Sequence, residues 1–211
     1  MTEALHLPYG RPLVRADLDA MPDDGRKYEL MDGILFVTPS PFAPEQLAEM
    51  PDDGHRYELI DGILVVSPAP KQLHQIVVGE LFVALRSACP AEARVLIAPF
   101  DVALDAETIV QPDLLVARKT DLTEKNLPGA PLLAVEVLSP STRALDLSLK
   151  KRRYADAGCP HYWIVDPDAP SITAWTLLDG TYAQTADAHD DEPFAVTEPF
   201  EVTFTPASLT R

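Results

Sequence analysis

The chain has 211 residues, of which 33 are acidic and 17 basic, so its formal net charge is −16 and its isoelectric point is near 4.5. A strongly basic protein that coats nucleic acid is excluded, because attraction to phosphate needs a positive surface. A disordered acidic protein is disfavoured, because 46% of the residues are hydrophobic and the apolar runs are long enough to form a core. The length corresponds to one domain with an appendage.

The negative charge is concentrated at the two ends of the sequence. Residues 1–70 contain 13 acids and 5 bases, and residues 166–211 contain 9 acids and 1 base. Residues 71–165 contain 11 of each and are neutral. Net charge governs solubility and long-range steering, so it leaves room for a small positive site in this middle segment. A local basic cluster lies there, formed by Arg143, Lys150, Lys151, Arg152 and Arg153.

The cysteine count and the start of the sequence predict a cytoplasmic protein. Cys89 and Cys159 are too few for a disulfide scaffold. The first 15 residues lack the basic start and apolar centre of a secretory signal. No apolar stretch reaches the ~20 residues that span a bilayer. We therefore expect reduced thiols and no membrane partner.

Residues 21–41 and 50–70 are two copies of one pattern, identical at 15 of 21 positions with an offset of 29. Each copy contains a Pro-Asp-Asp-Gly turn signal and an Asp-Gly pair between two apolar runs, which is the strongest short signal for a β-hairpin. Each copy therefore predicts one hairpin, and we interpret the pair as a tandem duplication. Two interpretations stay open. Either the first copy extends a sheet or covers its edge, or one copy swaps onto a partner chain or competes with the other for one position.

The rest of the sequence predicts helices and strands around a central sheet. An apolar stripe predicts a helix over residues 72–88, and a second helix is predicted over 146–157, before a glycine that favours helix ends. The near-continuous apolar run at 131–138 is typical of a buried central strand. The predicted strands, in chain order, are 94–104, 108–117, 131–138, 161–165, 172–178, 181–185 and 200–204.

Two acids lie inside apolar strands, Asp113 and Glu136. Burying an ionised carboxylate without a partner is costly, so each acid alone is interpreted as pairing with an arginine or facing water. On adjacent strands the two would repel each other unless a cation joined them. Their hard oxygen atoms suit Mg²⁺ or Mn²⁺.

Lys150 lies on the predicted helix that follows Glu136, one turn from Asp146 and one turn from Tyr154, so these three side chains share a face. Taken alone, Lys150 is interpreted as a solvated lysine paired with Asp146. A basic group beside two metal-binding carboxylates would instead help to activate a water molecule or stabilise phosphate charge.

Two runs are specific when they occur together: EVLSPST at residues 136–142, and GCPHYWIVDP at residues 158–167. Gln111-Pro112-Asp113, Lys150 and Tyr154 accompany them, and the second hairpin copy with Ser67-Pro68 and His74 precedes them. Together these motifs resemble the bacterial putative restriction endonuclease family, which has the PD-(D/E)XK nuclease fold. The resemblance covers about residues 41–185.

The resemblance implies an α/β (α+β) fold with a restriction-endonuclease-like αβββαβ core around a central mixed sheet. Its helices would be 72–88 and 146–157, and its first three strands would lie within 94–117 and at 131–138. Residues 1–40 would form an extra hairpin copy. Residues 41–211 would form the nuclease-like domain with an acidic C-terminal β extension.

The resemblance also implies a site in which Asp113 and Glu136 bind Mg²⁺ or Mn²⁺ and Lys150 is the third catalytic residue. The sequence departs from the plain E-x-K pattern, because Leu138 stands where that pattern has its lysine. Lys150 matches the position on the next helix to which the family moves this lysine. The accessory candidates are Glu58, His74, Glu80 and Tyr154, and the candidate contacts to the DNA backbone are Lys151, Arg152 and Arg153.

The expected function is a Mg²⁺-dependent DNA endonuclease that acts as a homodimer. The first alternative is a catalytically silent nuclease-fold protein that acts as a binding or assembly module, which the acidic flanks and Leu138 favour. A hydrolase of another phosphoester is a third, weaker class.

Overall fold

The protein is described by a computed structural model, which covers residues 7–8, 11–40, 43, 46–47, 50–51 and 53–211. The chain divides into two compact units. Unit 1 consists of Met1–Ala69, Asp105–Val110 and Pro140–Thr142. Unit 2 consists of Pro70–Leu104, Gln111–Ser139 and Arg143–Arg211. The domain boundary at residue 40 stays a prediction.

The predicted helix over 72–88 is confirmed at both ends, and its apolar stripe is buried. The predicted second helix is confirmed, but it begins at Arg143 rather than at residue 146, and it consists of three consecutive segments, the middle one a π-helical turn. No helix in the described part of the chain is long and apolar enough to cross a membrane. The helical segments are α1 (Arg15–Asp19), α2 (Gln72–Ala88), α3 (Arg143–Leu145), the π turn (Asp146–Lys150), α4 (Lys151–Asp156) and a 3₁₀ turn (Pro206–Thr210).

The predicted strands are confirmed, but two of the runs are each divided at a proline. The run 94–104 breaks around Pro99 and the run 108–117 around Pro112, because proline has no N–H for a strand ladder. The strands are β1 (Lys27–Met31), β2 (Ile34–Thr38), β3 (Arg56–Ile60), β4 (Ile63–Ser67), β5 (Ala93–Ile97), β6 (Asp101–Ala103), β7 (Ile109–Val110), β8 (Leu114–Arg118), β9 (Asn126–Pro128), β10 (Leu133–Val137), β11 (His161–Asp166), β12 (Ser171–Leu178), β13 (Thr181–His189), β14 (Phe194–Val196) and β15 (Val202–Phe204).

In unit 1 both copies of the repeat form the predicted hairpins, β1–β2 and β3–β4. Each hairpin turns through an Asp-Gly pair in which both residues have positive φ, the conformation that this dipeptide favours. The hairpins join through β2 and β4, so the strand order within unit 1 is β1-β2-β4-β3-β7, with antiparallel neighbours throughout. Within the chain, the first copy therefore extends the sheet of the second.

Unit 2 is built on a six-stranded sheet with the order β13-β12-β11-β10-β8-β5. β10 is parallel to β11 and the other neighbours are antiparallel, so the sheet is mixed. Helix α2 lies against one face, where its Leu81 and Leu85 join a core that includes Trp163 and Phe194. The order of α2, β5, β8, β10, the second helix and β11 confirms the predicted αβββαβ core.

The two Asp-Gly turns offer a matched pair of substitutions, Gly33→Ala and Gly62→Ala. Both glycines have positive φ, 85° and 72°, so alanine is strained at either position. An added Cβ would lie 2.8 Å from the Cβ of Pro12 at Gly33, whereas nothing lies within 4 Å at Gly62. We expect Gly62→Ala to lower the free energy of unfolding by about 1 kcal/mol, and Gly33→Ala to lower it clearly more. Urea titration followed by circular dichroism measures both; equal losses would contradict the Pro12 contact.

Candidate active site

Two buried acids meet between adjacent strands of unit 2. Asp113 directly precedes β8, Glu136 lies in β10, and these strands are antiparallel neighbours. The backbone N–H of Asp113 donates to Oε2 of Glu136 at 3.4 Å, and the backbone N–H of Val137 donates to Oδ2 of Asp113 at 2.8 Å. Asp113 is 3% exposed and Glu136 is 1% exposed. The strand pairing thus brings together two carboxylates that lie 23 positions apart in the chain.

The positive charge beside this pair is the ammonium group of Lys150. Its Nζ lies 2.8 Å from Oε1 of Glu136 and 3.5 Å from Oδ1 of Asp146. Lys150 and Asp146 are both 2% exposed. The interpretation of Lys150 as a solvated lysine is therefore wrong, although its pairing with Asp146 is confirmed. A buried lysine between two carboxylates provides the charge balance that buried acids require.

The widened turn of the second helix carries both Asp146 and Lys150. The hydroxyl of Tyr162, on β11, donates to the backbone carbonyl oxygen of Asp146 at 2.8 Å. A bond donated from outside the helix is one way in which such a turn is held, and π-helical turns are frequent at functional sites. Neither the widened turn nor the role of Tyr162 was predicted from the sequence. The available signal was strand alternation, which places Tyr162 and Trp163 on opposite faces of β11.

Tyr162 lies in a buried aromatic cluster. Its ring centroid is 5.3 Å from that of Tyr154, 5.8 Å from that of Tyr182 and 6.3 Å from that of Trp175. Burial, followed by the carboxylates of Glu136 and Asp146, raises the pKa of Tyr162 well above its ordinary value. The hydroxyl therefore stays protonated and remains a donor. Tyr154, an accessory candidate, is fully buried in this cluster.

The other accessory candidates lie in different places. His74, in the first turn of α2, is buried and its Nε2 lies 3.1 Å from Oδ2 of Asp113. Glu80 is exposed on the same helix. It lies six residues after His74, so its side chain points to a different side of the helix. Glu58 is buried on β3, in unit 1. The structure therefore brings His74 to the acid pair.

The three candidate contacts to the DNA backbone lie in α4 and already have partners. Lys151 Nζ is 3.6 Å from the centroid of the Trp175 ring, and burial lowers the pKa of this lysine. Arg152 and Arg153 both pair with Asp156, at 3.7 Å and 2.9 Å. Two of the three positive charges are thus partly neutralised by one aspartate.

The donor atoms beside Lys150 fit a hard divalent cation. Asp113 and Glu136 supply two carboxylates, and Mg²⁺ usually takes one or two carboxylates and keeps several waters. Among the residues that the structure describes, no group of three or more His, Cys, Asp or Glu side chains is arranged to hold a metal ion. A cation held by the two carboxylates alone would keep several waters as its other ligands.

The ion pair between Glu136 and Lys150 can be tested by a double-mutant cycle. Lys150→Met removes the ammonium and leaves buried acids without it, so we expect a loss of about 3–5 kcal/mol in the free energy of unfolding. Glu136→Gln combined with Lys150→Met should lose clearly less than the sum of the two single losses. Urea titrations of the four proteins give the coupling energy, and strictly additive losses would contradict a buried ion pair.

Tyr162→Phe tests the hydroxyl that holds the π turn. It leaves the buried carbonyl oxygen of Asp146 without this donor, and we expect a loss of about 1–3 kcal/mol in the free energy of unfolding. Tyr182→Phe is the matched control, because that hydroxyl donates to the carbonyl oxygen of Cys159 at 2.8 Å from a half-buried position that water can reach. A loss for Tyr162→Phe no larger than that of the control would show that the turn does not depend on this bond.

The chain is similar to proteins described as putative nucleases. A family model described as "Uma2: Putative restriction endonuclease" matches residues 44–210, so the first hairpin copy lies outside the match. A crystal structure of a putative nuclease belonging to DUF820, from Anabaena variabilis ATCC 29413, is similar with a TM-score of 0.59 and 18% identity. The similarity covers 81% of this chain and 92% of that chain, and at this identity it shows the fold alone. No match is found among curated proteins.

Proposed function

Because the chain belongs to the Uma2 family of putative restriction endonucleases, we propose that it is a metal-dependent endonuclease that hydrolyses phosphodiester bonds in DNA. The observation that carries this proposal is the buried pair of Asp113 and Glu136, with Lys150 Nζ 2.8 Å from the second acid. These three charged groups are costly to bury, and none of them has a role in packing an apolar core.

In this proposal Asp113 and Glu136, with the backbone carbonyl of Val137, hold Mg²⁺ or Mn²⁺. When bound, the ion polarises a phosphodiester oxygen and makes a bound water more acidic. His74 orients the carboxylate of Asp113 through its Nε2. Lys150 is buried, so we assign its ammonium to the attacking water rather than to the phosphates of the DNA backbone.

Lys151, Arg152 and Arg153 are the proposed contacts to backbone phosphates. They lie in the neutral segment 71–165, whereas the excess acids lie outside it. Because Asp156 already pairs with both arginines, we expect weak, salt-sensitive binding. A twofold homodimer is proposed because closed dimers are the commonest assemblies and duplex DNA has two strands to cut. We place its action in the cytoplasm.

The second candidate is a catalytically silent protein that keeps the nuclease fold for binding or assembly. Two observations favour it: Leu138 occupies the position of the usual lysine, and Lys150 already neutralises Glu136. Titration calorimetry with Mn²⁺ separates the two candidates. The silent protein shows no Mn²⁺ binding that depends on Asp113 or Glu136, whereas the nuclease loses its Mn²⁺ binding in Glu136→Gln.

Plasmid cleavage tests the reaction. With Mg²⁺ or Mn²⁺ we expect the protein to nick or linearise supercoiled plasmid, and Asp113→Asn to lower the rate by about 100-fold or more, because a ligand to the catalytic cation is lost. Glu92→Gln, which changes an exposed acid outside the site, is the matched control and should cleave at the unchanged rate. Chelation with EDTA should abolish cleavage. Equal rates for Asp113→Asn and the unchanged protein would refute the assignment.

A further inference from the structure

The seam between the two hairpin copies has an unusual symmetry. β2 and β4 are antiparallel, and exchanging each residue for its equivalent in the other copy leaves the set of pairs unchanged. The paired residues are Leu35 with Val66, Phe36 with Val65, and Val37 with Leu64.

The offset of 29 makes residues 35, 36 and 37 of the first copy equivalent to residues 64, 65 and 66 of the second. A twofold rotation that exchanges the two copies therefore converts the pair 35–66 into the pair 37–64. The axis of this rotation passes through the pair 36–65. A contact in which residue i meets j and j meets i defines a twofold interface between identical chains. Simple extension of a sheet does not demand this register, because a hairpin can pair through either strand and at any offset.

We propose that the β4 edge is a self-pairing edge that fits β4 of a second copy of this chain, with Val65 opposite Val65. The first hairpin covers this edge within the chain, as a substitute for the second copy. The chemistry of β4 suits such pairing. It contains neither charge nor proline, which are two of the devices that block pairing at exposed strand edges. Its Leu64, Val65 and Val66 are at most 1% exposed in the covered state.

The covalent link decides which partner occupies the edge. A tethered hairpin acts at an effective concentration on the order of millimolar, so it outcompetes a free second chain at micromolar concentration. The first copy is nevertheless the less buried of the two. Alternate residues of β1 are exposed, with Met31 at 58%, whereas four of the five residues of the equivalent strand β3 are buried. The hairpin that leaves the seam is therefore the first copy, and its release exposes β4.

Full-length Leu35→Asp/Val37→Asp tests this proposal. Both side chains are at most 1% exposed, so two carboxylates there expel β2 from the seam. We expect the molar mass measured by light scattering to double relative to the unchanged protein. The matched control, Lys27→Asp/Met31→Asp, places the same two residues at exposed positions of β1 and should keep the original mass. An unchanged mass in a folded Leu35→Asp/Val37→Asp chain would overturn the proposal.

Cross-linking then reads the register of the new contact. In the Leu35→Asp/Val37→Asp chain with Cys89→Ser, Val65→Cys should be joined between chains by a short bis-maleimide. Ile63→Cys alone should not, because two such residues would lie four positions apart along the strands, roughly 13 Å. A mixture of Ile63→Cys chains with Ser67→Cys chains should cross-link again, because these positions face each other across the axis.

Equal cross-linking of Ile63→Cys and Val65→Cys chains would show unspecific association and overturn the proposed register. If the double aspartate chain loses its β-sheet signal by circular dichroism, Phe36→Pro replaces it, since proline breaks the pairing of β2 at the axis. The same outcomes then apply. Mass and cross-links report strand pairing alone, so they are independent of whether the protein cleaves DNA.

Discussion

Two carboxylates buried on adjacent strands set the constraint on which unit 2 depends. Glu136 accepts from the backbone N–H of Asp113, and Asp113 accepts from the backbone N–H of Val137. In a medium of low dielectric the two carboxylates need a cation. Lys150 supplies that charge, and in this chain the second helix carries it there as a buried side chain. The π turn and the hydroxyl of Tyr162 are the local consequences, because together they present Lys150 and Asp146 toward the acids. The position of each of these groups thus follows from the need to balance the charge of the two buried acids.

The same constraint explains why a mixed sheet suits this arrangement of charges. The antiparallel pairing of β8 with β10 places the two acids side by side, and the parallel pairing of β10 with β11 needs a crossover, which is the helix that bears Lys150. His74 comes from the first turn of α2 and precedes Asp113 in the chain by 39 positions. Four elements therefore meet at one point, and the apolar core of α2, Trp163 and Phe194 fixes their positions from the other side of the sheet.

Much of the fold follows from short-range patterns. The apolar stripe of α2 predicted its ends to the residue, and the Asp-Gly pairs predicted both hairpins. The approach of Asp113 to Glu136 was expected only on the condition that their strands are neighbours, because the cost of burying each acid alone is also met by an arginine partner or by exposure to water. The π turn was not predictable, because apolar spacing does not distinguish one widened turn from regular helix. Tyr162 was missed because its role depends on a contact across the fold, 16 positions from Asp146. The short strands β9 and β14 have too few residues for a periodic signal. The bound cation, the DNA contacts and the dimer stay predictions.

Leu138 has a consequence for how such proteins are found from sequence. It is 4% exposed and its N–H donates to the carbonyl oxygen of Val165, so this position serves the core, while the ammonium group arrives from a helix twelve positions later. The proposed chemistry requires only that Nζ lie beside the second acid, and it sets no requirement on which element delivers the lysine. A search that encodes the site as a fixed interval between glutamate and lysine will pass over this chain. A template of three points in space, two carboxylates and one ammonium, will retrieve it.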